Sequence, residues 1–153
     1  MEIQFELSAD DDGYIDRECP HCQRLFRWHH GPLEGAPEEA DPALEYHCPY
    51  CGGSASSDEW WTREQAEALQ QAALAAMMPD IQEQLKSPER RGGLVEVTVD
   101  AAPSLPPPTP VELHDALPSV TVASPCHPYE PVKLLGAWGP PLHCLVCGTP
   151  FAI

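Results

Sequence analysis

Apolar and polar residues alternate over Ile3-Gln-Phe-Glu-Leu7, a two-residue period that predicts a strand running into the turn residues Ser8 to Gly13. Tyr14-Ile15 then lead back towards Cys19. Leu25–Trp28 and Leu44–His47 read as two further strands around a polar, acidic loop from Gly31 to Pro42, which predicts a hairpin with a cysteine pair at each base. After Trp60-Trp61 the period changes. Ala66, Leu69, Ala73, Ala76 and Met77 recur at helical spacing behind Thr62, which is placed to cap, and Gln65, placed to complete a capping box. Pro79 is expected to end this helix or to open a short second one reaching Leu85. Gly92-Gly93 breaks the chain, Leu94–Val99 alternates as a strand, and Ala102 to Pro110 reads as an extended, proline-rich spacer. Ser119–Val122 and Pro131–Leu135 follow as strands, with a turn from Gly136 to Pro141.

These elements predict a small, metal-stabilised α+β chain: two β-hairpin modules joined by a central helix and the proline-rich spacer. The expected divisions are 1–61, 62–88 for the helical segment, 89–111 for strand and spacer, and 112–153. With 19 Pro and 10 Gly among 153 residues, too little contiguous apolar sequence remains for one large core, and small modules need a staple. Seven cysteines can supply it. The opening Met1-Glu-Ile-Gln-Phe-Glu-Leu lacks the basic and apolar regions of a leader, so a cytoplasmic setting is expected, where cysteine pairs hold metal in preference to forming disulfides. No run approaches the ~20 apolar residues of a membrane span. The net charge of −16 disfavours phosphate backbones and anionic lipid, and favours basic protein partners.

The strongest chemical pattern is Cys19-Pro-His-Cys22 with Cys48-Pro-Tyr-Cys51-Gly52. Zinc takes four soft or borderline ligands in a tetrahedron, which two such knuckles provide, and a glycine after the last cysteine lets backbone amides turn towards the sulfurs. With these four cysteines in place, residues of about 14–60 resemble the zinc-ribbon, or zinc-beta-ribbon, family. That resemblance implies a ribbon fold and a structural zinc, and little about function, because such ribbons serve in many contexts. The same tetrads also look like active-site motifs of disulfide oxidoreductases, but no strand–tetrad–long helix setting surrounds them.

A degenerate second copy covers about 119–153. Cys126-His-Pro-Tyr129 aligns with the first knuckle and Cys144-Leu-Val-Cys147 with the second, leaving Tyr129 where a cysteine is expected. Cys126, Cys144 and Cys147 give three ligands to a second zinc. His127 is the preferred fourth, although adjacent ligands demand an unusual backbone; His143, His114 or solvent are the alternatives. An open fourth position near Glu130 would make this zinc catalytic, and a hairpin that has lost its metal is the remaining possibility.

No phosphate loop, nucleophile elbow or paired-histidine helix is found, so the chain is expected not to be an enzyme. The leading expectation is a zinc-binding adaptor or scaffold that presents ribbon and helix surfaces to a protein partner. The alternative is a nucleic-acid-binding ribbon using Arg17, Arg24 and Arg27 with Trp28, His29 and His30. Against it, Arg24 and Arg27 can neutralise the thiolates and nearby acids while Phe26 and Trp28 cover the small core. Trp60-Trp61 is expected to plug ribbon to helix, and Asp10-Asp-Asp12 to form a solvated loop.

Overall fold

The computed structural model describes residues 3–38, 43–86, 105–107, 109–114 and 117–153. Among them lie eight short strands and one helix: β1 Ile15–Glu18, β2 Leu25–Trp28, β3 Glu45–His47, β4 Ser54–Ser56, α1 Arg63–Lys86, β5 Ser119–Val122, β6 Val132–Leu135, β7 Leu142–His143 and β8 Pro150–Phe151. The predicted strand Leu94–Val99 falls outside the described residues.

The pairing differs from the hairpin expected between Leu25–Trp28 and Leu44–His47. β2 pairs with β1, and β3 pairs with β4, so each hairpin closes around a cysteine knuckle and not around the long acidic loop. The cause is local. Gln23 follows Cys22 with φ of 59°, and Gly52 follows Cys51 with φ of 72°, so a left-handed residue reverses the chain within the knuckle itself. Paired backbone bonds lock the reversal: Gln23 N–H to Cys19 C=O and Cys19 N–H to Arg24 C=O at 2.9 and 3.1 Å, then Gly52 N–H to Cys48 C=O and Cys48 N–H to Gly53 C=O, both 2.9 Å. The C-terminal part repeats the arrangement, with β5 pairing β6 around Cys126 and β7 pairing β8 around Cys144 and Cys147.

One four-stranded antiparallel sheet, ordered β1-β2-β6-β5, takes two strands from each half of the chain. The central rungs are Phe26↔Leu134, Arg27↔Lys133 and Trp28↔Val132. The shift along the chain that carries Cys19 onto Cys126 also carries β2 onto β6, so the strands that meet at the centre of the sheet hold the same place after β1 and β5 in their two halves.

Alternation gives this sheet two different faces. Phe26, Trp28, Val132, Leu134 and Val122 point into the core, where Tyr46, Trp60, Leu142 and Leu145 join them with Cys19 and Cys48. Phe26 meets Trp60 edge-on, and Trp28 lies 4.4 Å from Tyr46 between ring centroids. On the opposite face the row Asp16, Arg27 and Lys133 is buried and charged. Asp16 accepts from Arg27 Nε at 2.8 Å and from the His114 amide at 2.7 Å, and Lys133 reaches Asp10 and Asp12, each at 2.7 Å. Asp10 is thus an anchor of the sheet, in contrast to the solvated loop expected of it: Lys133 stands between Arg27 and Thr121 on the neighbouring strands and finds its carboxylates in the 10–12 turn.

The expected strand Ile3–Leu7 does not form. Only Leu7 makes a bridge, parallel to Val111, because no neighbouring strand in the described chain extends the ladder beyond it. Helix α1 opens as predicted, Thr62 Oγ1 accepting from the Gln65 amide at 3.2 Å and Gln65 Oε1 accepting from the Thr62 amide at 3.1 Å. It differs in two respects. Pro79 lies inside a continuous helix, exposed to solvent, where losing its bond to the Ala75 carbonyl leaves that group open to water. The buried face is Gln65, Ala68 and Ala72, not the face of Ala66, Leu69, Ala73, Ala76 and Met77. Apolar residues surround this alanine-rich helix on all sides, so Gln65, whose Nε2 donates to the Asp16 carbonyl at 2.8 Å, selects the face. Among the described residues no helix is long and apolar enough to cross a membrane.

Candidate metal centres

The knuckles at the ends of β1–β2 and β3–β4 bring Cys19, Cys22, Cys48 and Cys51 together, with all four sulfurs within 4.8 Å of one another. Cys19 to Cys51 is 3.7 Å and Cys22 to Cys48 is 3.8 Å. A tetrahedron with metal–sulfur bonds of ~2.3 Å has an edge of about 3.8 Å, whereas a disulfide needs ~2.05 Å. Backbone amides converge on the same sulfurs: His21 and Cys22 donate to Cys19, Tyr50 to Cys48 and Gly53 to Cys51, at 3.3–3.5 Å. These donors offset thiolate charge in a site whose Cys19 and Cys48 are fully buried.

The second cluster is Cys126, His127, Cys144 and Cys147, again with every ligand atom within 4.8 Å of the others. Cys126 and Cys147 stand 3.5 Å apart, and His127 Nδ1 lies 3.3 Å from Cys144 Sγ. Adjacent residues can both face one point here because His127 uses the ring nitrogen nearest its backbone, and because its amide is held at 3.2 Å by Ser124 Oγ. Of the alternatives, His114 is bound to Asp16 through Nδ1 at 2.9 Å, and the His143 ring packs against Gly52. Tyr129, in the vacated cysteine position, meets the His127 ring edge-on. Glu130 is buried and accepts from Trp28 Nε1 at 3.1 Å, so its carboxylate ties the core to this knuckle.

Ionisation follows depth in both clusters. Burial pushes the Cys19 and Cys48 thiols up, and pushes Cys144 up to about 11. At exposed Cys51 the slight burial is outweighed by the Gly53 amide and neighbouring thiols, which lower it. At Cys147 burial is likewise outweighed, by the Thr149 hydroxyl and amide and then by Cys126 and Cys144, bringing it to about 6. Each cluster pairs an exposed thiol of lowered pKa, Cys51 or Cys147, with buried thiols of raised pKa, Cys19 and Cys48 in the first and Cys144 in the second, that give up their protons to a cation.

Sequence reasoning missed the Ser124 and Thr149 hydroxyls, which lie 3.0 Å from Cys144 Sγ and 3.1 Å from Cys147 Sγ. It also missed a reciprocal contact between clusters, signalled in the sequence by the repeated letters His47-Cys-X-X-Cys-Gly52 and His143-Cys-X-X-Cys-Gly148. The basic residues singled out for nucleic acid are engaged within the chain. Arg27 pairs with Asp16 on the far face of the sheet, Arg17 is buried against Gln65, His30 and Trp61, and Arg24 lies 3.9 Å over the Tyr50 ring.

Fold and clusters together define a small α+β protein with two cysteine-rich centres able to hold metal ions. No protein-family model, no curated protein and no solved structure matches the chain.

Proposed function

We propose that this chain is a non-enzymatic zinc-binding adaptor whose two centres are structural and whose surfaces serve a protein partner. The observation that carries the zinc reading is the pair of sulfur separations, 3.7 and 3.8 Å, matching the edge of a tetrathiolate zinc. The donor set of the second centre, three thiols and an imidazole, is equally suited to zinc. His127 occupies its fourth corner, which favours a closed structural site over a catalytic one with bound water. A cytoplasmic location belongs to the same reading, since it keeps these thiols reduced.

Two features favour a protein partner. Leu74, Met77 and Ile81 are exposed on the side of α1 opposite its buried face, a helical stripe facing away from the sheet. A cleft of about 530 Å³ between α1 and residues 109–114 is lined by Glu64, Glu67 and Glu112, which suits basic side chains. The inward engagement of Arg17 and Arg27 argues against a nucleic-acid surface. The test is affinity purification of the full chain from its native cell, beside a Cys48→Ser control, with metal content measured on the same sample. A stoichiometric protein lost in the control is expected; nucleic acid recovered alone would overturn the adaptor reading.

A further inference from the structure

The two cysteine centres are joined by a contact that each makes with the other's backbone. His47 immediately precedes Cys48 of the first centre, yet its amide donates to the carbonyl of Leu145, inside the second centre's Cys144–Cys147 knuckle, at 2.8 Å. His143 immediately precedes Cys144 of the second centre, and its amide donates to the carbonyl of Pro49, inside the Cys48–Cys51 knuckle, at 2.9 Å. The rings follow the amides. A Cβ added to Gly148 would stand 2.5 Å from the His47 ring, and one added to Gly52 would stand 2.7 Å from the His143 ring. Both glycines have φ of 72°, so each closes its own knuckle while leaving room for the histidine of the other. Among the described residues the buried Nδ1 atoms of both rings meet no hydrogen-bond partner, and the rings pack against the facing glycines.

We infer from this reciprocity that the two metal centres load cooperatively, each ion completing the surface on which a ligand-bearing strand of the other centre rests. The inference rests on the reading of both clusters as metal sites. Without metal in the second centre the 144–148 knuckle loses the ion that ties its Cys144 and Cys147 to Cys126 and His127 and is held by its backbone bonds alone, so the carbonyl acceptor and the seat of His47 are loosened. The strand that presents Cys48 is then free to move. The same holds with the centres exchanged. A shared elastic element biased by both ligands is what a coupling free energy between sites requires.

Two measurements on the full chain test it. Apo-protein given half the metal needed to fill both centres, and weighed intact under native conditions, should show metal-free and two-metal species with little of the one-metal form. A dominant one-metal form overturns the coupling, and failure to bind any metal overturns the site reading as well. Second, cobalt(II) reports the centres separately, because four-sulfur and three-sulfur-one-nitrogen sites absorb differently. Gly148→Ala strains its own knuckle in any case; the telling readout is the four-sulfur centre, whose affinity should fall about tenfold. Gly139→Ala, where an added Cβ meets nothing within 4 Å, should leave it unchanged. A four-sulfur affinity equal in Gly148→Ala and the parent chain overturns the proposal.

Discussion

At the scale of single residues, Tyr50 does more than fill the space between Cys48 and Cys51. Its hydroxyl donates to the Leu25 carbonyl at 2.8 Å and accepts from the Leu135 amide at 3.0 Å, standing where the β2–β6 ladder stops after Phe26↔Leu134. Removing it leaves two main-chain groups in a half-buried place without partners. Tyr50→Phe is therefore expected to cost about 1–3 kcal/mol, read as a lower urea midpoint with metal content unchanged; an equal midpoint would show that the hydroxyl does not close the sheet. The cysteines were legible in the sequence because metal chemistry imposes their spacing. His127 was the preferred fourth ligand among several histidines; the structure gathers it with Cys126, Cys144 and Cys147, while His114 is bonded to Asp16 and the His143 ring packs against Gly52, tertiary contacts that no spacing in the sequence displays. Tyr50, Ser124 and Thr149 were illegible because a hydroxyl's partner is set by tertiary approach and leaves no periodic trace.

At the scale of elements, the helix and the charged face of the sheet each make a prediction. Beyond Ala72 the described residues of α1 are at most half-buried, so its last turns draw chiefly on helix bonding, and Pro79 weakens them there. Pro79→Ala should strengthen that stretch by about 3 kcal/mol locally. Helical ellipticity is expected to rise while the global unfolding midpoint stays put; a shift of the midpoint instead would mean that this part of α1 is packed. On the sheet, burial raises the Asp10 carboxyl, but the bond from Lys133 and the Tyr14 and Asp12 amides more than reverse this and lower it below its ordinary 3.8. Burial lowers Lys133, and its bonds to Asp10 and Asp12 outweigh that and raise it above 10.5. A depressed acid stabilises fully above its unfolded value and loses the effect as pH falls through its folded value; a raised base stabilises fully below its unfolded value and loses the effect as pH rises through its folded one. The Asp10→Asn penalty in urea should thus be flat between about 3.8 and 10.5 and shrink outside that window. A penalty unchanged well below pH 3.8 would assign it to shape and not to charge. The capping box and the strands next to the knuckles were readable because their signals are local. Strand partners were not, because the left-handed residues Gln23, Gly52 and Gly148 that close three of the knuckles leave no periodicity, yet decide which strands meet.

At the scale of the whole molecule, the central rungs between β2 and β6 make the two ends of the chain into halves of one sheet. The four strands of that sheet all lie outside residues 87–104, so covalent continuity there is expected to be dispensable. If the chain is divided between Lys86 and Leu105 and the two pieces are co-expressed with different tags, they should purify together as a split protein. Chelator should separate them, since zinc contributes roughly 10–16 kcal/mol of apparent folding energy to modules of this size. Fragments that never associate would place the decisive contacts in the connector. If they do associate, the chain is a dimer that happens to be encoded once, and its metal supply becomes a means of assembling or dismantling it at will.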